Sequence, residues 1–257
     1  MPDSNSAIDI FDQNAKAYEQ FRPNCPIVIV DTLQQWSDLS ARDKVLEIGS
    51  GTGQLTRALA DWNNELVALE KGIDLARLAR AKFLPSPEIK VITADFETWK
   101  SNESFQLITA CQSFHWISMA KGFEKVYELL GPGGKLALIW HLDISQNTPF
   151  WQKTSPIYKE FFPSSEKYTS LAEQVDRHQS YLQKSPLFLD CKRLEHPWDI
   201  EYSKANYLGL LGTFSTQSKL SPSAREQFFL RIGQAIDELG GRIIRKHKTV
   251  MLFAQKQ

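Results

Sequence analysis

The stretch Val45-Leu-Glu-Ile-Gly-Ser-Gly-Thr-Gly-Gln54 constrains the fold of this 257-residue chain more than any other. A short apolar run is stopped by alternating glycines, and helical spacing resumes with Leu55, Leu59 and Trp62. Strand, glycine loop and helix open a βαβ unit, in which a loop without Cβ atoms can lay its backbone against a ligand. The alternation then repeats. Apolar runs predict strands at Lys44–Ile48, Glu65–Leu69, Ile89–Thr93, Phe105–Ala110 and Lys135–His141. Helical patterns lie between them over Gln54–Trp62, Ile73–Phe83 and Ser118–Leu130, and Gly131-Pro-Gly-Gly134 reads as a turn. Such a march signals a parallel sheet with crossover helices.

After Asp143 the regularity breaks. Asp143–Pro186, with Pro149, Pro156 and Pro163, reads as an inserted helical segment. Arg193–Tyr202 and Arg242–Ala254 are predicted strands, a candidate hairpin pair, with helices over Ser203–Leu211 and Ser221–Leu239 between them. Phe228, Phe229, Ile232, Ile236 and Leu239 form the apolar stripe of the longer helix.

Glycine content alone does not choose a ligand. The dinucleotide fingerprint G-x-G-x-x-G fails here, because its sixth position is Gln54 or Thr56. The spelling present is Glu47-x-Gly49-x-Gly51-x-Gly53. A carboxylate at that place repels a pyrophosphate but welcomes a cation. Glu70, at the end of the second strand, is placed to accept ribose hydroxyls; read alone, it is equally a solvated side chain. Asp95-Phe96 follows the third strand, where Asp is also a favoured helix cap. Ala110-Cys-Gln-Ser-Phe-His-Trp116 leaves the fourth, crowding polar and aromatic groups at a carboxyl end, where open α/β sheets bind ligands.

The glycine-loop spelling resembles the first motif of class I S-adenosylmethionine-dependent methyltransferases. Phe114-His115-Trp116, the N-terminal Phe11–Tyr18 stretch and Arg22-Pro23 resemble a subgroup labelled methyltransferase type 11 or trans-aconitate-methyltransferase-like. The resemblance implies an α/β fold: a Rossmann-like, seven-stranded, mostly parallel sheet with helices on both faces, an antiparallel last strand and a helical insertion after strand 5. It implies one domain over 1–257, with an N-terminal lid and helices in 1–40 and a cofactor-binding core in 41–142. A helical insertion over the acceptor site (143–190) and the C-terminal part of the sheet (191–257) complete it. It further implies S-adenosyl-L-methionine as cofactor, held by Tyr18, Arg22, Glu47, Gly49, Ser50, Gly51, Gly53, Gln54, Glu70, Asp95, Phe96, Cys111 and Gln112. The acceptor pocket would take Phe114, His115, Trp116, Trp140, His141, Tyr207 and Phe214. Lys71-Gly72, where many members have Pro after the ribose acid, and Asn24-Cys25, where Tyr is common after Arg-Pro, depart from the pattern.

A sulfonium methyl is already activated, so the protein's task is alignment and a dry pocket. His115 is the candidate general base, with His141 second; the preferred reading makes His115 a pocket wall, because a carboxylate acceptor needs no base. The expected acceptor is a small molecule, a carboxylate or hydroxyl oxygen among the options. The alternative is a non-catalytic S-adenosylmethionine-binding protein. Lys+Arg and Asp+Glu both number 30, so nothing suggests nucleic acid or an anionic membrane as partner. The start Met1–Ser6 lacks a secretory pattern, and a cytoplasmic monomer or homodimer is expected. Cys25, Cys111 and Cys191 lie far apart with no CxxC, so their spacing indicates no metal site and no disulfide framework.

Overall fold

The computed structural model describes residues 11–163 and 169–257. The start Met1–Ser6 and residues 164–168 of the expected insertion lie outside them.

The predicted sheet is present, with seven strands in the order β3-β2-β1-β4-β5-β7-β6. The strands are β1 Lys44–Ile48, β2 Glu65–Glu70, β3 Ile89–Thr93, β4 Phe105–Cys111, β5 Leu130–Asp143, β6 Phe188–Ser203 and β7 Arg242–Lys256. The pairs β1–β2, β2–β3, β1–β4 and β4–β5 are parallel, and the last strand runs antiparallel. Strand order reverses between β1 and β4, the switch point at which open α/β sheets take ligands beyond their carboxyl ends.

The expected turn at Gly131–Gly134 is instead part of β5. Phe105 pairs with Leu130 while Leu107 pairs with Lys135, so the glycine-rich segment loops out of register without ending the strand. Gly133, at φ +67, permits that excursion. The strands β6 and β7 also run longer than the apolar pattern indicated, because alternate exposed positions hide them from a search for apolar runs.

Two compact units emerge from the packing. One comprises Pro23–His141, Leu171–His196 and Thr249–Gln257. Its core sets Ile29 and Leu33 of α2 (Ile27–Ser37) with Leu55 and Leu59 of α3 (Gln54–Ala60), Val45 of β1 and Phe253 of β7. Helices α4 (Ile73–Phe83) and α5 (Met119–Leu129) carry the other crossovers. The other unit takes the described residues of 1–22 and 142–170 with Pro197–Lys248. It holds α1 (Ala15–Phe21), α6 (Pro149–Phe161), α8 (Lys204–Gly212) and α9 (Pro222–Asp237). Phe228, Ile232 and Ile236 bury the predicted stripe of α9 against Phe150, Tyr207 and Leu211.

The expected insertion is therefore not one body. Its helix α7 (Leu171–Lys184) belongs with the strands, presenting Val175, His178 and Leu182 at helical spacing. Tyr181 of α7 stacks on Phe123 with centroids 4.5 Å apart. The sequence pattern gave one inserted helical segment over Asp143–Pro186, with no sign that its parts would join different cores.

Two close approaches organise the second unit. A Cβ built on Gly209 of α8 would lie 2.4–2.6 Å from three carbons of the Phe21 ring, so α1 rests on α8 where no side chain exists. Arg245 is the second. Only 9 % exposed, it donates from Nε to Ser145 Oγ at 3.1 Å and from a terminal nitrogen to the Tyr207 hydroxyl, and it pairs with Asp143. Burial lowers its pKa to about 10.

Candidate functional site

The glycine loop follows β1, and its three glycines sit at φ +69, +59 and +93. At Gly49 the need is steric as well as conformational: a Cβ there would lie 2.5 Å from the Ser113 Cβ. Ser113 in turn donates its hydroxyl proton to Ile48 O, joining the loops after β1 and β4. The N–H groups of Gly49 and Ser50 donate to Leu69 O at 2.8 and 2.9 Å, tying the loop to β2. Ser50 Oγ is buried without a hydrogen-bond partner among the described residues.

Glu47 is 1 % exposed within β1. The Thr56 hydroxyl, from α3, donates to its Oε2 at 2.6 Å. Burial, with the Glu70 charge adding to it and Thr56 opposing it, pushes the Glu47 carboxyl up to about 8. The folded protein thus holds a proton that the unfolded chain releases near 4.5. Stability of the ligand-free protein is expected to be greatest below about 4.5 with respect to this group and to fall as pH rises through about 8. Glu47→Gln is expected to flatten that slope, which urea unfolding on either side of the window measures.

Glu70, 8 % exposed, spans two loops. Its Oε2 accepts from Gly51 N–H and its Oε1 from Gly72 N–H, both at 2.7 Å. Lys71, the departure noted in the sequence, pairs with Asp95 at 2.8 Å. Partial desolvation pushes the Asp95 carboxyl up, but the Lys71 ammonium, the Glu97 N–H and Lys125 outweigh it and hold the pKa below its ordinary value. Glu97 N–H reaches Asp95 Oδ1 at 2.9 Å, but only a turn and no helix lies between β3 and β4, so Asp95 closes a turn and is not a helix cap. Phe96 is buried, with the Lys125 ammonium 5.1 Å above its ring.

Beyond β4, Gln112 turns the chain at φ +57 and its side-chain amide donates to His141 O at 3.2 Å. A single 3₁₀ turn spans Phe114–Trp116. Phe114 is fully buried, next to Phe123 and His178. The Trp140 indole N–H donates to His115 Nδ1 at 3.2 Å, which places the proton of the neutral ring on Nε2. Burial, and secondarily His178, lowers the His115 pKa to about 4, so the ring is neutral at pH 7.

One unit thus gathers Glu47, Gly49, Ser50, Gly51, Gly53, Gln54, Glu70, Asp95, Phe96, Cys111, Gln112, Phe114, His115, Trp116, Trp140 and His141. Tyr18, Arg22, Tyr207 and Phe214 belong to the other. There, Arg22 donates to Thr213 Oγ1 at 2.9 Å and Thr213 O at 3.0 Å, with its guanidinium 4.7 Å from the Phe214 centroid and 5.0 Å from that of Tyr18. Tyr207 is 1 % exposed, its hydroxyl 3.2 Å from that of Tyr158. Phe114, Trp140 and Tyr207, expected in the acceptor pocket, are core residues in this structure. Sequence reasoning missed Thr56, Ser113 and the Lys71 ion pair, none of which has a local pattern; the only signal was Lys71's departure from the family spelling.

Residues 45–134 match a family described as the methyltransferase domain. The chain is 25% identical to an uncharacterised methyltransferase of Schizosaccharomyces pombe over 85% of this chain and 84% of that protein. It is 32% identical to an uncharacterised methyltransferase of Mycobacterium bovis, covering 49% of each, so it spans about half the length of that relative. Among solved structures it resembles a Haemonchus contortus phosphoethanolamine N-methyltransferase crystallised with S-adenosylhomocysteine. That likeness has a TM-score of 0.57 at 16% identity and covers 95% of this chain and 57% of the other, which speaks to fold.

Proposed function

We propose that this S-adenosylmethionine-dependent methyltransferase transfers the methyl group to a small-molecule acceptor. The cofactor is S-adenosyl-L-methionine; when bound, it supplies an activated methyl on a sulfonium, open to in-line displacement. The observation that carries the reading is the pair of buried carboxyl groups, Glu47 and Glu70, flanking a left-handed glycine loop. They suit an adenosyl ligand with an ammonium and no phosphate. Glu47 and the orphaned Ser50 hydroxyl would hold the amino-acid end, Glu70 the ribose, and Asp95 with Phe96 the adenine. Docking a cation beside Glu47 favours its ionised form, so binding should release a proton near neutral pH.

The acceptor reading rests on His115. Its Nδ1 lone pair already takes the Trp140 N–H, and burial keeps its basicity low. It therefore acts as a wall and orienting donor through Nε2, which favours an acceptor oxygen that carries no proton at pH 7, a carboxylate over a hydroxyl. The zero net charge supports a small acceptor over a polyanion.

The test begins with calorimetry, which is expected to show S-adenosylmethionine binding. A panel of small carboxylates and phenols is then scored by S-adenosylhomocysteine release. Turnover with a carboxylate, without an inflection at the ordinary histidine value, is the expected result. Binding without release from any panel member or metabolite extract would point to the non-catalytic alternative.

A further inference from the structure

The sequence spacing of the cysteines hides what the fold does with two of them. Cys25, between α1 and α2, Cys111, closing β4, and His141 of β5 bring one ligand atom each within 4.8 Å of one another, all inside one compact unit. None of the three is exposed. Cys111 pairs with Ile139 in the sheet, so His141, two residues on, stands on the same face of β5 as that partner. Cys111 Sγ lies 3.8 Å from His141 Nε2. In a tetrahedral site with metal–sulfur and metal–nitrogen bonds of about 2.3 and 2.0 Å, neighbouring ligand atoms stand roughly 3.5–3.8 Å apart, so the Cys111–His141 pair needs a slight contraction and Cys25 a shift of at most about 1 Å.

A second observation points the same way. The other ring nitrogen, His141 Nδ1, sits 2.8 Å from Oγ1 of Thr249, which is fully buried on β7. With Nδ1–H donating to that hydroxyl, Nε2 keeps its lone pair and faces the sulfurs. An outer partner that fixes ring and tautomer is characteristic of metal-bound histidine.

We propose that Cys25, Cys111 and His141 form a binding site for a thiophilic divalent cation such as zinc, with Thr249 as the outer partner of the histidine. Three protein ligands leave a fourth position for water or another donor. Binding converts both thiols to thiolates and releases their protons. The Cys111 side chain is thereby committed to the ion, and its part in the cofactor site would fall to its backbone. The site does not depend on the acceptor proposed above.

Cobalt(II) is the probe. Reduced, chelator-treated full-length protein is titrated without oxygen. The expected result is one equivalent bound, with a near-ultraviolet thiolate-to-cobalt band and the visible bands of a tetrahedral ion, both displaced by zinc. Cys25→Ser is expected to weaken binding by more than about 100-fold and Thr249→Val by about 10-fold. Cys191→Ser, which removes the remaining thiol, should retain full binding. Zinc should raise the melting temperature of the wild type and of Cys191→Ser but not of Cys25→Ser, a comparison that needs only a melting transition in each. Absence of the charge-transfer band in the wild type overturns the proposal. So does a Cys25–Cys111 disulfide formed on mild oxidation in a protein that takes up no cobalt when reduced.

Discussion

Glu70→Gln is expected to reduce S-adenosylmethionine affinity about 100-fold, roughly 3 kcal/mol, and to lower stability by about 2 kcal/mol. The substitution keeps the shape and changes one oxygen to an amide nitrogen. Both oxygens now accept a backbone N–H, one from Gly51 and one from Gly72. An NH₂ group cannot accept, so one loop loses its anchor and two donors are left facing each other in a buried place. In the proposed cofactor site the ribose loses an ionised acceptor as well. Calorimetry gives the affinity and urea unfolding the stability. A variant that binds as tightly as the wild type would remove Glu70 from the cofactor site. The same variant should lower the pKa of Glu47, because the Glu70 charge is one of the causes that raise it.

Arg245→Met is expected to cost the protein about 1–3 kcal/mol, the loss of charge-assisted hydrogen bonds at a buried guanidinium. The guanidinium is surrounded by Asp143, Ser145 and the Tyr207 hydroxyl, and its centre lies 5.6 Å from the Phe150 ring and 5.2 Å from that of Tyr207. Methionine fills much of the volume but takes the cation from Asp143 and one hydrogen bond each from Ser145 and Tyr207, which keep Lys246 and Tyr158 as partners. Thermal unfolding should shift down by roughly 2–6 °C for a chain of this size. Pairing the change with Asp143→Asn removes the uncompensated carboxylate and should recover part of the loss, a coupling that a double-mutant cycle reads directly. Additive losses would mean that the pair contributes little to the energetics.

Much of this molecule was legible because its signals are local. Glu47-x-Gly49-x-Gly51-x-Gly53 sits on consecutive residues, and so do the apolar runs of β1, β2 and β4 and the stripe of α9. Each is dictated by backbone sterics or by periodicity that a short window captures. What escaped is non-local. No pattern joins Glu47 to Thr56, or Lys71 to Asp95, before the strands are laid side by side. The aromatic residues around Tyr207 and Phe114 could not be divided into pocket and core by type alone, since both environments favour large apolar rings. The Gly131–Gly134 segment misled because glycine signals freedom of the backbone, and a turn and an out-of-register loop within a strand use that freedom equally. The cysteines misled for the complementary reason, since ligands contributed by three separate elements have no spacing to recognise.

The contact of Phe21 with the bare backbone of Gly209 also sets an order on sequence drift. Alanine at 209 would stand 2.4–2.6 Å from the ring, well inside van der Waals contact, so Gly209→Ala alone forces the Phe21 ring or α1 to move. A smaller residue at 21 relieves that overlap in advance, and while a side chain occupies 209 a return to phenylalanine at 21 meets the same overlap. The two positions therefore drift as a coupled pair, each limiting what the other can become, although 188 positions separate them (209 − 21).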